Sequence, residues 1–136
     1  MITSTCSLQD RRVFLIEDNV SNRVIMQMLL EQHGAQVGFE RWGTKTMQRL
    51  KAFAPVDIIC LDLMFPRGVS GFDIYDEIRA QVDFDRVPIV AVSASESAIV
   101  LPKAREKGFH GFIPKPVDFD NFPRQIEQVL NGGRIW

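Results

Sequence analysis

Five residues with chemically useful side chains fall at the ends of apolar runs in this sequence. Glu17 and Asp18 follow the first run, Asp62 follows a second, Ser93 ends a third, and Lys115 comes just after a fourth. A carboxylate at the edge of an apolar core is unfavourable unless a nearby group uses or neutralises it. The pattern therefore raises the question of what these side chains do together.

Three carboxylates in one place require a cation. Each raises the pKa of the others unless positive charge is close by, and one lysine cannot balance three of them. Mg²⁺ is typically held by one or two carboxylates together with waters and phosphate oxygens. In such a site Asp62 could act as a nucleophile toward phosphorus and form an aspartyl phosphate. Mg²⁺, the Lys115 ammonium and the Ser93 hydroxyl would stabilise the charge on the transferring group.

The elements that must position these residues alternate along the chain. Each apolar run is followed by a helical pattern, and in the first of these Val20, Val24 and Met28 recur every four residues on one face. Continuous apolar strands that alternate with helices predict an α/β fold with a parallel sheet covered on both faces. Ligands of such sheets bind beyond the carboxyl ends of the strands. The predicted strands are residues 12–16, 35–40, 58–61, 87–94 and 109–113.

Length and composition fit one domain, which we expect to span residues 1–136 with a core over about 12–130 and two short tails. Hydrophobic residues make up 46% and charged residues 24% of the chain, which is ordinary for a soluble protein. A net charge of −1 does not favour nucleic acid or an anionic membrane. No apolar run reaches the roughly 18 residues that span a bilayer. Cys6 and Cys60 have no metal-ligand spacing, and we expect a reducing cytoplasm.

Four motifs that occur in order at strand ends resemble those of a known family. They are ED at residues 17–18, LDLMFP around Asp62, VSAS around Ser93 and FIPKP around Lys115. On these motifs the chain is similar to response-regulator receiver domains of two-component and phosphorelay systems, from about residue 12 to about residue 130. The resemblance implies a flavodoxin-like, doubly wound sheet of five parallel strands in the order 2-1-3-4-5, with five helices on both faces.

The resemblance also implies roles for the charged residues. Asp62 would be the phosphoacceptor, and Asp18 and Asp62 would coordinate Mg²⁺ directly. Glu17 would act on the metal through a water, and the backbone carbonyl of Met64 would be a further ligand. Lys115 would pair with the phosphoryl oxygens.

Two uncharged positions match the parts of a receiver that respond to phosphorylation. Ser93 and Phe112 correspond to a hydroxyl and an aromatic ring that rearrange and alter the face formed by the fourth helix, fifth strand and fifth helix. The Lys115–Pro116 bond matches a position that is commonly cis. Taken alone, each residue also fits a plain structural role, such as a helix cap for Asp62 or a core ring for Phe112.

The function implied is that of a stand-alone receiver, not an enzyme, although it would assist its own phosphoryl transfer and dephosphorylation. The donor would be a phosphohistidine on a histidine kinase or a histidine phosphotransfer protein. Nothing after the last helix supplies an output domain, so we expect an unidentified downstream protein, no direct DNA binding and no membrane association.

Three other functions compete with this one. A receiver-shaped adaptor that works without phosphorylation is the alternative, although the complete acidic set and Lys115 argue against it. A haloacid-dehalogenase phosphatase needs a second aspartate where Met64 stands. A flavodoxin-like FMN carrier needs a hydroxyl- and glycine-rich loop, where residues 17–23 read EDNVSNR.

Two further departures from the family pattern concern backbone geometry. The loop after Asp62 is one residue longer than usual between its proline and its glycine. Pro102 falls where receivers carry the middle of the fourth helix, and proline is favoured at the first position of a helix but not in its interior. We therefore expect the fourth helix to begin near Leu101, after an irregular segment of residues 95–100. Phe119 and Phe122 are expected to mark the start of the closing helix.

Overall fold

Strands and helices alternate along residues 6–65, 68–94 and 97–136, the part of the chain that the computed structural model describes. The strands are β1 (Arg12–Ile16), β2 (Gln36–Glu40), β3 (Ile58–Leu61), β4 (Ile89–Ser93) and β5 (Gly111–Pro114). The helices are α1 (Val20–Glu31), α2 (Thr46–Phe53), α3 (Gly71–Arg79), α4 (Ser97–Lys107) and α5 (Asn121–Leu130). A single 3-10 turn, Val82–Phe84, lies between α3 and β4.

The five strands form one parallel sheet in the order β2-β1-β3-β4-β5. Every residue of β3 and β4 is buried, as expected for central strands covered on both faces. One apolar cluster fills the space between the sheet and α2, α3 and α4, and a second lies under α1 and α5. The predicted α/β fold, its strand order and its helices on both faces are confirmed.

The buried core extends beyond both ends of the predicted range of residues 12–130. Leu8 is fully buried, and its backbone N–H donates to the carbonyl of His33 at 2.8 Å. Ile135 is also buried and belongs to the cluster under α1 and α5. In the described residues no helix combines the length and the apolar character needed to cross a bilayer.

Helix α1 has the predicted position, but the apolar stripe that predicted it faces outward. Val20, Val24 and Met28 are 43%, 47% and 46% exposed. The residues that α1 buries against the sheet are Met26, Leu29 and Leu30. An apolar stripe at i, i+4 spacing is therefore present on the solvent side of this helix, which begins shortly after the carboxyl end of β1.

The predicted late start of α4 near Leu101 was wrong. The helix already includes Ser97 and contains Pro102 in its interior. Pro102 and Ala98, whose carbonyl loses its helical partner to the proline, both lie on the exposed side of the helix. On the opposite side Leu101 and the fully buried Ala104 pack on the core, and this packing outweighs the proline penalty. Of the predicted irregular segment, Ser95 and Glu96 lie outside the described residues.

Helix α5 begins two residues later than Phe119, which was expected to be part of it. The Asp118 carboxylate accepts hydrogen bonds from the backbone N–H groups of Asp120 and Asn121, at 2.9 and 3.3 Å, and so caps the helix start. Phe119 thus lies in the preceding loop and is 59% exposed. Phe122 is fully buried, as its place in the helical pattern predicts.

Candidate functional site

Backbone hydrogen bonds between neighbouring strands bring the predicted site residues to one edge of the sheet. The N–H of Asp62 donates to the carbonyl of Ile16, at the end of β1, at 3.0 Å. The N–H of Lys115 donates to the carbonyl of Ser93, at the end of β4, at 3.0 Å. The ends of β1, β3, β4 and β5 are therefore held in register, and the chemistry gathers where the parallel-sheet rule places it.

Lys115 joins two of the three carboxylates. Its Nζ lies 2.7 Å from Oε1 of Glu17 and 3.0 Å from Oδ2 of Asp62. The side chains of Lys115, Glu17 and Asp62 are only 9%, 2% and 8% exposed. Charge-assisted hydrogen bonds in such a shielded place are stronger than those on a surface.

Backbone N–H groups donate to the other carboxylate oxygens of Glu17 and Asp62. The N–H of Asn19 donates to Oε2 of Glu17 at 3.1 Å, and the N–H of Met64 donates to Oδ1 of Asp62 at 3.3 Å. Both acids are therefore fixed from two sides, by the lysine and by the loop that follows their own strand. The role of the Met64 carbonyl stays a prediction, while its side chain is 68% exposed beside the site.

Asp18 is the carboxylate that the protein leaves unsatisfied. Within the described residues its Oδ1 is buried and has no hydrogen-bond partner. A buried carboxylate oxygen is expected to have a cation, a donor or a water. An orphaned carboxylate oxygen on the residue after Glu17 thus fits a hard cation chemically.

The carboxylates do not converge on one point in the described ranges. There, no three His, Cys, Asp or Glu side chains are arranged around a common metal position. Lys115 stands between Glu17 and Asp62 and so takes the place where their oxygens would meet. Mg²⁺ needs only one or two protein carboxylates besides waters and phosphate oxygens. Asp18 and Asp62 are sufficient for such a site, and the Mg²⁺ assignment stays a prediction.

The pKa values of Glu17 and Lys115 reflect burial and the hydrogen bonds that Lys115 makes to two carboxylates. Burial raises the pKa of Glu17, the charge of Asp62 raises it further, and the hydrogen bond from Lys115 opposes both. Burial alone would lower the pKa of Lys115, but its hydrogen bonds to Glu17 and Asp62 prevail and raise it. The lysine therefore stays charged, and the acids together outweigh it.

A pH dependence follows from the raised pKa of Glu17. When the pKa of a group is higher in the folded than in the unfolded state, the group stabilises the folded protein. This contribution is complete at a pH below the unfolded-state pKa and is lost as the pH rises through the folded-state pKa. We expect the unfolding free energy of the protein, minus that of a Glu17→Gln variant, to fall as pH rises above the usual glutamate value of 4.5. Urea denaturation in Mg²⁺-free buffer from pH 4 upward measures this difference. A difference that rises with pH would contradict the assignment.

The two predicted switch residues are both buried. Ser93 ends β4 and is 1% exposed, and the ring of Phe112 packs in the cluster on the α4 side of the sheet. The N–H of Phe112 donates to the carbonyl of Ile135 at 2.8 Å. The Lys115–Pro116 peptide bond is cis. Rearrangement of Ser93 and Phe112 stays a prediction.

Gly71 is a site residue that the sequence reasoning missed. A Cβ at this position would lie 2.1 Å from the carbonyl oxygen of Asp62 and 2.6 Å from Cα of Leu63. Its N–H donates to the Leu63 carbonyl at 3.0 Å, so the start of α3 rests directly on the backbone of Asp62. The available signal was a glycine immediately after Ser70, whose hydroxyl caps the helix. The extra loop residue falls in the segment with Pro66 and Arg67, which lie outside the described residues.

Comparison with known proteins agrees with the fold described above. Residues 13–127 match the response regulator receiver domain. The chain is 29% identical over 124 residues to the peroxide stress-activated histidine kinase mak1 of Schizosaccharomyces pombe, covering 88% of this chain and 8% of the kinase. It is 30% identical over 121 residues to the transcriptional regulatory protein AfsQ1 of Streptomyces coelicolor, covering 89% and 52%.

A solved structure whose sequence identity to this chain is similar to that of these relatives has the same fold. The non-phosphorylated HemR receiver domain of Leptospira biflexa superposes with a TM-score of 0.80 at 26% identity, covering 92% of this chain and 98% of that one. The chain thus spans about half of AfsQ1 and less than a tenth of mak1, but nearly all of an isolated receiver domain. With the family match extending over most of its length, this chain belongs to the response regulator receiver domains, the signalling domains of two-component systems.

Proposed function

We propose that this chain accepts a phosphoryl group on Asp62, with Mg²⁺, from a phosphohistidine of a histidine kinase or histidine phosphotransfer protein. The observation that carries the proposal is the buried ammonium of Lys115 between Asp62 and Glu17, together with the unpaired buried oxygen of Asp18, the residue after Glu17. The likeness to part of a histidine kinase supports a donor of this class.

The residues divide the work of the transfer between them. A carboxylate oxygen of Asp62 attacks phosphorus, the P–N bond to the donor imidazole breaks, and the imidazole nitrogen keeps the electron pair. Asp18 and Asp62 would hold Mg²⁺, with Glu17 acting through water and the Met64 carbonyl as a further ligand, and the bound ion would neutralise phosphoryl charge. Lys115 follows the new charge and pairs with a phosphoryl oxygen. The same groups would assist the later attack of water on phosphorus that restores Asp62.

The signal would leave the site through β4 and β5. The backbone N–H of Lys115 donates to the carbonyl of Ser93, and Phe112 lies on β5, three residues before Lys115, which follows the end of that strand. A change in the Lys115 and Ser93 contacts is therefore transmitted to Phe112, and from there to the face formed by α4, β5 and α5. A downstream protein would recognise that face. Cys60 is a free, buried thiol, which supports the reducing cytoplasm proposed for this exchange.

Intact mass spectrometry after incubation with acetyl phosphate tests the proposal. We expect a gain of one phosphoryl group that requires Mg²⁺ and is absent in Asp62→Asn. The matched control is Asp73→Asn, which removes an exposed carboxylate of α3 and should leave the gain unchanged. The same gain in Asp62→Asn would refute the assignment of the acceptor. No gain in the unaltered protein, together with no binding of beryllofluoride, would favour the phosphorylation-independent adaptor.

The exposed stripe on α1 is the surface on which we propose that the donor docks. Val20, Val24 and Met28 are about half exposed on α1, which begins shortly after the carboxyl end of β1, and Phe119 is exposed in the loop after Lys115. Met28 and Phe119 line the same surface cavity. Exposed apolar side chains that cluster next to a reactive group are typical of a protein interface.

A charge placed on this stripe should affect phosphorylation by a protein donor but not phosphorylation by acetyl phosphate. We expect Val24→Asp to slow transfer from a phosphorylated histidine phosphotransfer protein by about tenfold or more, because a buried interface position would receive an unpaired charge. Phosphorylation by acetyl phosphate, which needs no docking, should not change. Val82→Asp, at an exposed valine of the 3-10 turn, is the control and should have no effect. Equal transfer rates for both variants would exclude this stripe as the docking surface.

A further inference from the structure

The outer edge of β5 is covered by the segment of residues 131–136, here called the tail. β5 is the last strand of the sheet, and an edge strand presents unpaired backbone groups to solvent. Ile135 forms a parallel bridge with Gly111: its N–H donates to His110 at 3.0 Å, and its carbonyl accepts from Phe112 at 2.8 Å. The tail thus pairs with the edge of β5 through one isolated parallel bridge at Ile135.

Side chains on both sides of β5 are shaped for the tail. A Cβ on Gly111 would lie 2.2 Å from Cγ1 and 2.3 Å from the backbone carbonyl oxygen of Ile135, so the glycine lets the tail approach β5 closely. Arg134 donates to the carbonyl of Phe109 at 3.1 Å. The guanidinium of Arg105, on α4, lies 4.9 Å from the centre of the Trp136 ring. The edge therefore recognises three successive side chains, which are basic, aliphatic and aromatic.

The tail reaches this edge through a glycine turn after α5. Gly132 has a φ of +97°, and the N–H of Gly133 donates to the carbonyl of Gln128 at 2.9 Å. So short a connection gives the tail a high effective concentration at the edge. Any external segment that pairs with β5 has to displace it.

We infer that the β5 edge is a strand-binding site for an extended segment of basic, branched aliphatic and aromatic residues, and that the tail is its internal competitor. A partner segment would add to the sheet by the same backbone hydrogen bonds, and Gly111 leaves room for it to approach the edge of β5. The site lies on the face through which we propose that the receiver signals. Its occupation involves backbone groups of β5 and does not require a phosphoryl group on Asp62.

Amide hydrogen exchange on unphosphorylated protein tests whether the tail occupies the β5 edge. We expect the Phe112 amide to exchange about tenfold faster or more in an Ile135→Ser, Trp136→Ala double variant, because its acceptor is withdrawn. Gly111→Ala is a second route to the same result, since the three nearest atoms to its new Cβ all belong to Ile135. Val82→Ser is the control and should leave Phe112 protected. Unchanged protection of Phe112 in both tail-displacing variants would overturn the inference.

A labelled peptide with the tail sequence, NGGRIW, tests whether a separate segment binds this edge in competition with the tail. In fluorescence anisotropy it should bind the double variant about tenfold more tightly or better than the unaltered protein, and it should restore protection of the Phe112 amide. Failure to bind the double variant would overturn the inference, as would equal binding to both proteins. A concentration-dependent dimer of the unaltered protein would show that tails exchange between copies, which also contradicts an internal competitor. Mass spectrometry of Asp62 phosphorylation is independent of these results, so failure here leaves the receiver chemistry to its own test.

Discussion

Replacing Lys115 with methionine is expected to lower the unfolding free energy by about 3–5 kcal/mol in Mg²⁺-free buffer at neutral pH, because it leaves buried carboxylates without their cation. Methionine keeps most of the length and volume of the lysine side chain, so little of the loss comes from a cavity. Glu17 and Asp62 are almost fully buried and lie within 3.0 Å of the ammonium. Urea denaturation monitored by circular dichroism measures the loss.

The chain offers a matched ion pair for comparison. Nζ of Lys107 lies 2.7 Å from the carboxylate of Asp76, the same distance as that between Lys115 and Glu17, but the Asp76 side chain is 61% exposed. We expect Lys107→Met to lose less than about 1 kcal/mol, since solvent screens an exposed pair. Because the two closest separations are equal, the contrast measures the effect of burial together with that of the second carboxylate at Lys115.

The effect of added Mg²⁺ on stability distinguishes a metal site from a buried ion pair that binds no metal. If Asp18 and Asp62 bind the ion, Mg²⁺ should restore part of the stability of Lys115→Met and should shift its urea midpoint more than that of Lys107→Met. Loss of the lysine should also abolish phosphorylation by acetyl phosphate or slow it severely, since the charge that pairs with the phosphoryl oxygens is gone. A Lys115→Met variant as stable as the unaltered protein, or one indifferent to Mg²⁺, would contradict this account of the site.

The site could be predicted from sequence because the sheet itself assembles it. Glu17, Asp62, Ser93 and Lys115 are separated by up to 98 positions, yet each follows or ends a strand of one parallel sheet. Once the strands are recognised as continuous apolar runs, their carboxyl ends must share an edge. Only the type of each residue and its place after a strand were needed, and both are visible in a single sequence.

The errors arose where tertiary packing decides between local alternatives. Periodicity showed that α1 is a helix but could not show which apolar face is buried, because Val24 and Leu29 are equally suited to a core. Local propensity placed the start of α4 near Leu101, whereas burial of Ala104 and Leu101 keeps the helix intact on its inner side. Neither preference is wrong by itself, but each is weaker than the core contacts that oppose it.

The contributions of glycine were hidden for a different reason. A glycine that is needed because another backbone lies against it has no side-chain pattern, and the neighbour is often distant in sequence. Gly111 makes room for Ile135, and Gly71 makes room for the backbone of Asp62. Both become visible only when a Cβ is placed on the folded chain.

Gly71→Ala is expected to disable the site while the protein remains folded. The new Cβ would lie 2.1 Å from the carbonyl oxygen of Asp62, so the start of α3 or the Asp62 backbone has to move. Overpacking of this kind typically costs about 1–3 kcal/mol. A displacement approaching 1 Å at a reacting group slows a reaction by on the order of a hundredfold. We therefore expect a modest loss in urea stability and a large loss in the rate of Asp62 phosphorylation by acetyl phosphate.

Ser70→Ala is the control that separates these two effects. It removes the hydroxyl that accepts from the N–H of Phe72 at 3.1 Å, so it weakens the same helix start and should cost about 1 kcal/mol. It adds no atom against Asp62, and its phosphorylation rate should stay near that of the unaltered protein. Similar stabilities with very different rates would show that Gly71 acts by positioning the acceptor. Equal rates for the two variants would mean that the backbone absorbs the extra carbon elsewhere in the loop, and Gly71 would then be a structural glycine without influence on the chemistry of Asp62.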